Sequence, residues 1–282
     1  MTSVGRRGRV VRFGIGLPTV LIGQRINPTG RERFGTALRR GDLTDVEIEA
    51  RRQVDAGADI LDVNVGVAGI DEPATLLAAV ELVTRCTEVP ICIDSADPAA
   101  LVAALDAYDG KALVNSVTAA RASMEAILPA VAAHGAAVIA LPIDEHGVPS
   151  DARARLANAA RICEAAARAG IPPDDVVVDV LTVPAGTEPE AAARALETLR
   201  LVQSELGVST TAGVSDISFG LSERRVVDLA FLAMAVGTGL SAPIADVTAP
   251  GLRRLCRACD VLAGRDAGGR RYVAELRRDP SS

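Results

Sequence analysis

Carboxylates, amides and hydroxyls stand at the ends of apolar segments along this 282-residue chain: Gln24-Arg25-Ile26-Asn27, Asp62-Val63-Asn64, Asp94-Ser95, Asn115-Ser116, Asp179 and Ser215-Asp216. A polar group that follows buried residues is either a core group with satisfied hydrogen bonds or a ligand contact. Asp94, Asn115 and Asp179 are the sharpest cases, because three such positions on successive or near-successive segments favour convergence on one ligand. With neither histidine nor lysine among them, the set suits a heterocycle that offers N–H and NH2 donors beside ring acceptors. An ionised aspartate accepts two parallel hydrogen bonds from an amidine-like edge.

The elements that must carry these groups recur eight times. Strand-like runs are predicted at residues 19–26, 60–65, 89–93, 112–114, 136–142, 176–180, 209–214 and 240–245. Helices are predicted between them at 73–86, 121–134, 152–169 and 190–205, with a last helix from Pro250 to Leu262 and a short extra one near 34–40. Thr44 with Glu47 reads as a capping box, Asp97-Pro98 as an N-cap and first turn, and Ser222 as the cap of a helix reaching Val236. Strands alternating with helices imply a parallel α/β sheet, and eight units favour closure into a (β/α)8 TIM barrel with substrate groups at its C-terminal mouth. The rival, a doubly wound open sheet, lacks its G-x-G-x-x-G fingerprint: Gly14-Ile15-Gly16 precedes the first strand.

Composition narrows the function. A formal charge of -6, four phenylalanines, two tyrosines and no tryptophan argue against a nucleic-acid surface. No apolar run approaches the roughly 20 residues that span a bilayer. Residues 1–13 carry arginines without an apolar stretch and are expected to be a flexible basic arm ahead of a single domain over 14–282. Five cysteines, an odd number in a large domain, favour reduced thiols and a cytoplasmic location. Cys256-x-x-Cys259 has no second pair, His134 and His146 have no spaced ligand partners, and no metal site is expected. Lys111, the sole lysine, lies in a connection rather than at a strand exit, which disfavours Schiff-base chemistry.

Six ordered strings, Ile22 to Asn27, Asp59 to Gly66, Cys92 to Ser95, Val114 to Ser116, Val178-Asp179 and Gly213 to Gly220, resemble the pterin-binding methyltransferase family. That family includes methyltetrahydrofolate:corrinoid/iron-sulfur protein methyltransferases and the folate-binding region of cobalamin-dependent methionine synthase. The resemblance implies a barrel that binds methyltetrahydrofolate or tetrahydrofolate as substrate, with cobalamin carried by a partner corrinoid protein, and a homodimer. It assigns Asp94, Asn115 and Asp179 to the pterin ring, with Asp179 on the pyrimidine edge and Asn64 lining the same cavity. Gln24, Asn27 and Ser215 fall within the matching strings, and Asp62 lies deeper. Asp216 stands where the family usually has asparagine beside N5, and Gln24 where glutamate is usual; Asp216 and Asn115 are the expected catalytic pair. The alternatives are a non-catalytic tetrahydropterin-binding protein and a dihydropteroate synthase, which normally carries Ser-Arg-Lys where this chain reads Ser215-Asp216-Ile217.

Overall fold

Alternate residues of a strand point to opposite faces, and in this chain the two faces form two separate cores. In the computed structural model, which describes residues 1–278, eight parallel strands close into one barrel. They are β3 (Ile22–Ile26), β4 (Ile60–Asn64), β5 (Ile91–Asp94), β6 (Leu113–Thr118), β7 (Ala137–Leu141), β8 (Val176–Asp179), β9 (Ser209–Gly213) and β10 (Ala242–Ala245), each paired with the next and β10 with β3. Leu61, Val63, Ile91, Ile93, Val114, Val138, Val176 and Val178 face outward into the core shared with the helices. Ile22, Ile60, Cys92, Leu113, Ala137, Ile139, Val177 and Ala242 face inward and fill the barrel. The (β/α)8 expectation is met.

The surrounding helices are α1 (Glu32–Arg39), α2 (Thr44–Asp55), α3 (Glu72–Cys86), α4 (Pro98–Ala107), α5 (Arg121–Ala133), α6 (Ala152–Arg168), α7 (Ala191–Leu201), α8 (Arg224–Thr238) and α9 (Leu252–Leu262), followed by α10 (Arg270–Arg278). Asp97 caps α4 as predicted, accepting the Ala99 N–H at 2.8 Å with Pro98 in the first turn. Two predicted caps are not the ones used. Thr44 makes no capping bond; its own N–H donates to Asp42 Oδ1 at 3.0 Å. Ser222 stands outside α8, which starts after Glu223 in the left-handed region at φ 51° without a side-chain cap.

The expected flexible arm is instead a hairpin of β1 (Thr2–Arg6) and β2 (Arg9–Phe13). Its arginines hide an alternation that buries Thr2, Val4 and Arg6 on one face. Val4 and Phe13 enter the inner core, and Thr2 Oγ1 lies 2.7 Å from Ser209 Oγ at the start of β9. Gly5 exchanges backbone hydrogen bonds of 3.0 and 2.8 Å with Lys111, ahead of β6. The hairpin therefore stoppers the N-terminal end of the barrel, opposite the mouth. The remaining bounds of the single-domain expectation extend past the described residues, to 279–282.

The ring closes between β10 and β3 through only the pairs Ile244 with Ile22 and Ala245 with Gly23. Asp260 of α9, fully buried, reinforces this seam: it accepts the Thr19 N–H at 3.0 and 3.1 Å and the Thr19 hydroxyl at 2.7 Å. Arg257 donates to the Thr19 carbonyl at 2.6 Å and approaches Asp59 at 3.5 Å, so a buried charge group is held on both sides of the junction. Among the described residues no helix is long and apolar enough to cross a membrane.

Phe13 tests the stopper. Phe13→Ala should lower unfolding free energy by about 3–5 kcal/mol, the cost of emptying a fully buried aromatic site, read as a lower urea midpoint. An unchanged midpoint would restore the mobile arm.

Candidate functional site

Parallel pairing brings three of the candidates to one level. Asn64 pairs in register with Asp94 across β4 and β5, and Asp94 with Asn115 across β5 and β6. All three are the polar successors of inward-facing residues, so the barrel's own alternation aims them into the mouth. Asp62, two residues below Asn64 on the same face, is buried and accepts a hydrogen bond from Asn115 Nδ2 at 3.3 Å. Asn64 Oδ1 is itself held by the Gly66 N–H at 2.9 Å. The β6 register with β7 shifts between Val114 and Val117, at Asn115 and Ser116, and the Asn115–Ser116 peptide is cis.

Burial shapes the charge of this cluster. It pushes the Asp62 carboxyl up to about 6, against the hydrogen bonds from Cys92, Asn115 and Asp94. It raises Asp94 well above the ordinary carboxylate range, and the charge of Asp62 adds to that. The pair therefore keeps a proton into the neutral range, and the mouth offers a carboxyl donor beside carboxylate and amide acceptors. The Cys92 thiol between them is raised by burial and by both aspartates, which leaves it an un-ionised filler.

Asp179 ends β8 across the mouth. Its Oδ1 accepts the Leu181 N–H at 2.7 Å, and burial followed by the charge of Asp216 pushes it up to about 7 despite that hydrogen bond. Asp216 closes a short 3-10 turn, Val214–Asp216, directly after β9. The residue stands on the exposed rim, yet its carboxyl folds back so closely that a Cβ on Gly213 would collide with it. Burial of that carboxyl pushes it up to about 6, against the pull of Arg224 and with Asp228 adding to the rise. Thr182 Oγ1 donates to the Gly213 carbonyl at 2.6 Å and ties the β8 and β9 loops together.

Gln24 and Ser215 meet above the seam, Gln24 Nε2 donating to Ser215 Oγ at 2.8 Å. Their position follows from a register shift in β3 between Gly23 and Ile26, where the Arg25 N–H leaves the ladder for Gln53 Oε1 at 2.9 Å. A cavity of about 290 Å³ opens beside them, lined by Gln24, Arg25, Ser215, Arg224, Asp228 and Asp246. Asn27 is engaged locally, its Oδ1 accepting the Thr29 N–H at 2.8 Å in a turn. The structure thus joins Asn64, Asp94 and Asn115 over Asp62, and Gln24 with Ser215, while Asp179 and Asp216 interact through charge.

Sequence reasoning passed over Arg25, Arg224, Asp228 and Asp246 as site residues. Asp246 had the same signature as the others, a carboxylate directly after strand β10, and it lies 3.7 Å from Arg25. Asp228 sits on α8, where no strand-end rule would find it. Among the described residues no group of three or more His, Cys, Asp or Glu side chains could hold a metal ion, and His134 pairs with Asp106 at 2.9 Å.

Comparison with known proteins places this geometry. A methylcorrinoid:tetrahydrofolate methyltransferase of Eubacterium limosum is 26% identical over 267 residues, covering 92% of this chain and 96% of the relative. A methionine synthase of Mycobacterium tuberculosis is 30% identical over 255 residues, covering 86% of this chain. The aligned part is 21% of that methionine synthase, so this chain spans about a fifth of its length. Among solved structures, dihydropteroate synthase of Stenotrophomonas maltophilia superposes with a TM-score of 0.69 at 22% identity, over 93% of this chain and 98% of that one. The Yersinia pestis enzyme bound to a pterin-sulfa conjugate gives 0.68 at 17% identity, over 94% and 99%; both show the shared barrel. The sequence profile of pterin binding enzymes matches residues 23–246, from the first barrel strand to the carboxylate after the last, and the chain belongs to that family.

Proposed function

We propose that this protein is a methyltransferase that moves a methyl group between N5 of methyltetrahydrofolate and the cobalt of a corrinoid held by a separate protein. The observation that carries this reading is the match, over nearly the full length of both chains, to a methylcorrinoid:tetrahydrofolate methyltransferase. The mouth agrees with it chemically. Asp94, Asn115 and Asp179, with Asn64 beside them and Asp62 beneath, supply the acceptors and the carboxyl donor that a pterin's amidine-like edge and ring nitrogens require. Dihydropteroate synthases share the barrel, but the only lysine here, Lys111, lies at the opposite end, bonded to Asp175 at 2.5 Å.

A tertiary amine leaves poorly, so N5 must gain positive character in the transition state, and whatever stabilises that state selectively is catalytic. The corrinoid supplies the cobalt centre that gives or takes the methyl group. Asp216 is the group of this chain that answers the demand at N5, with Asn115 orienting the ring. Below about pH 6 its carboxyl holds a proton to share with N5; above, its charge stabilises a protonated N5. Gln24 and Ser215 meet at the rim of the same mouth, whereas Asn27 stays in its local turn. A homodimer accords with the family resemblance, and five free thiols accord with a cytoplasmic location.

Two experiments test the assignment. Asp179→Asn should weaken tetrahydrofolate binding by roughly 2–5 kcal/mol in calorimetry, the cost of a lost charge-assisted pair. The same change should stabilise the unliganded protein at pH 8. A carboxyl near 7 in the fold and about 3.9 when unfolded binds more protons in the native state between those values. Its ionisation therefore lowers stability as pH rises through that window, and the asparagine variant should regain about 1–3 kcal/mol. Equal binding by both proteins would remove Asp179 from the site. In single-turnover methyl transfer to reduced cobalamin between pH 5 and 8, Asp216→Ala should still bind folate but react about 10- to 1000-fold more slowly. Asp216→Asn should keep substantial activity and lose the inflection near pH 6. Wild-type rates from Asp216→Ala across that range would dismiss its role.

A further inference from the structure

Arg155 is a large side chain in the first turn of α6, wholly buried, and no part of the mouth described above. Its hydrogen bonds go to backbone carbonyls alone: Nε to Pro149 at 3.1 Å, and one terminal nitrogen to Val180 at 3.1 Å and Leu181 at 2.6 Å. The other terminal nitrogen is buried without a hydrogen-bond partner. Burying a guanidinium against neutral acceptors, with no carboxylate bonded to it, is costly, and three carbonyls of two mouth loops are what it gains.

The grip falls on an unusual piece of backbone. Leu181 lies in the left-handed region at φ 57°, uncommon for a residue with a branched side chain. The Leu181 N–H, just ahead of this turn, donates to Asp179 Oδ1 at 2.7 Å. Arg155 clamps the Val180 carbonyl, which belongs to the same peptide unit as this N–H, and the Leu181 carbonyl of the next unit. A second brace, from Thr182 to Gly213, holds the next residue of the loop.

We infer that Arg155 is a positioning residue for Asp179: by chelating the Val180 and Leu181 carbonyls it fixes the Leu181 N–H that orients the pterin-facing carboxylate. It acts from behind the loop and touches no substrate. The charged groups facing Asp179 are Asp216 from the β9 loop, which opposes its ionisation, and Arg155 from α6, which favours it. Those facing Arg155 are Arg194, Glu188, Asp179 and Asp151. Removing Arg155 thus takes from Asp179 both its fixed donor and a favourable charge, and both losses move its titration upward.

This inference rests on the proposed pterin role of Asp179 for its functional meaning, and its test separates the two. The Asp179 carboxyl carbon is followed by NMR in the unliganded full-length protein, assigned by its loss in Asp179→Asn. The Asp179 midpoint should rise by about one pH unit in Arg155→Met and by less in Arg155→Lys, which keeps the charge without the fork. Tetrahydrofolate affinity at pH 7 should fall about five- to tenfold in Arg155→Met and recover towards wild type at pH 9. A residue that only stabilised α6 would lower the melting temperature and leave the midpoint where it is. An unmoved midpoint in the folded Lys or Met variant overturns the inference. A shifted midpoint in a protein whose wild type binds no tetrahydrofolate upholds the positioning and overturns the pterin assignment instead.

Discussion

Every inward position of a closed barrel competes for a narrow space that water leaves, and the order in which apolar and polar residues occupy those positions determines what the molecule is. Along β4, β5, β6 and β8 the inward residues begin apolar, as Ile60 or Leu113, and turn polar only at the last one or two, as Asp62 and Asn64 or Asn115. The apolar layers exclude water from below, aided by Val4 and Phe13 of the hairpin. The polar layer inherits a low-dielectric floor. A carboxylate there cannot be hydrated from beneath, and this constraint is the largest cause of the raised titration of Asp62, Asp94 and Asp179.

Crowding four carboxylates around such a floor is unfavourable in the empty protein, and the structure relieves it only in part. Asp62 and Asp94 face each other across a direct hydrogen bond that a retained proton makes favourable, and Asn115 and Asn64 each add a side-chain hydrogen bond to one of them. Asp179 and Asp216 sit across the mouth, each with one cation in range, Arg155 and Arg224 respectively. A ligand bearing several N–H donors replaces the missing hydration, so the same repulsion that costs stability without it favours its capture.

Much of this was legible from residue order because it depends on local alternation. The eight strands, and the polar ends of β4, β5, β6 and β8, follow from reading two residues at a time. Three features did not. The hairpin was hidden because its buried alternation, Thr2, Val4 and Arg6, includes an arginine that only a specific acceptor, the Thr87 carbonyl, makes burial-competent. The cap at Thr44 failed because Asp42 takes the Thr44 N–H instead, and the cap at Ser222 because α8 starts one residue later, after a left-handed Glu223 that makes no side-chain cap. Arg155 was unreadable in principle: its meaning lies in carbonyls 25 and 26 residues away, and an arginine in a helix ordinarily signals a solvated face.

The seam between β3 and β10 has a consequence for how the chain is made. Its two residue pairs join the first and last barrel strands, so they are the least local contacts in the ring and carry its largest loop-closure cost. Until β10 emerges during synthesis, β3 and the most recent strand present two unpaired edges, which invite pairing with other chains. Asp260 and Arg257 lie beyond β10 on α9, so the bonds that grip Thr19 become available only after the final strand is complete. The latch is thus encoded downstream of the gap it closes.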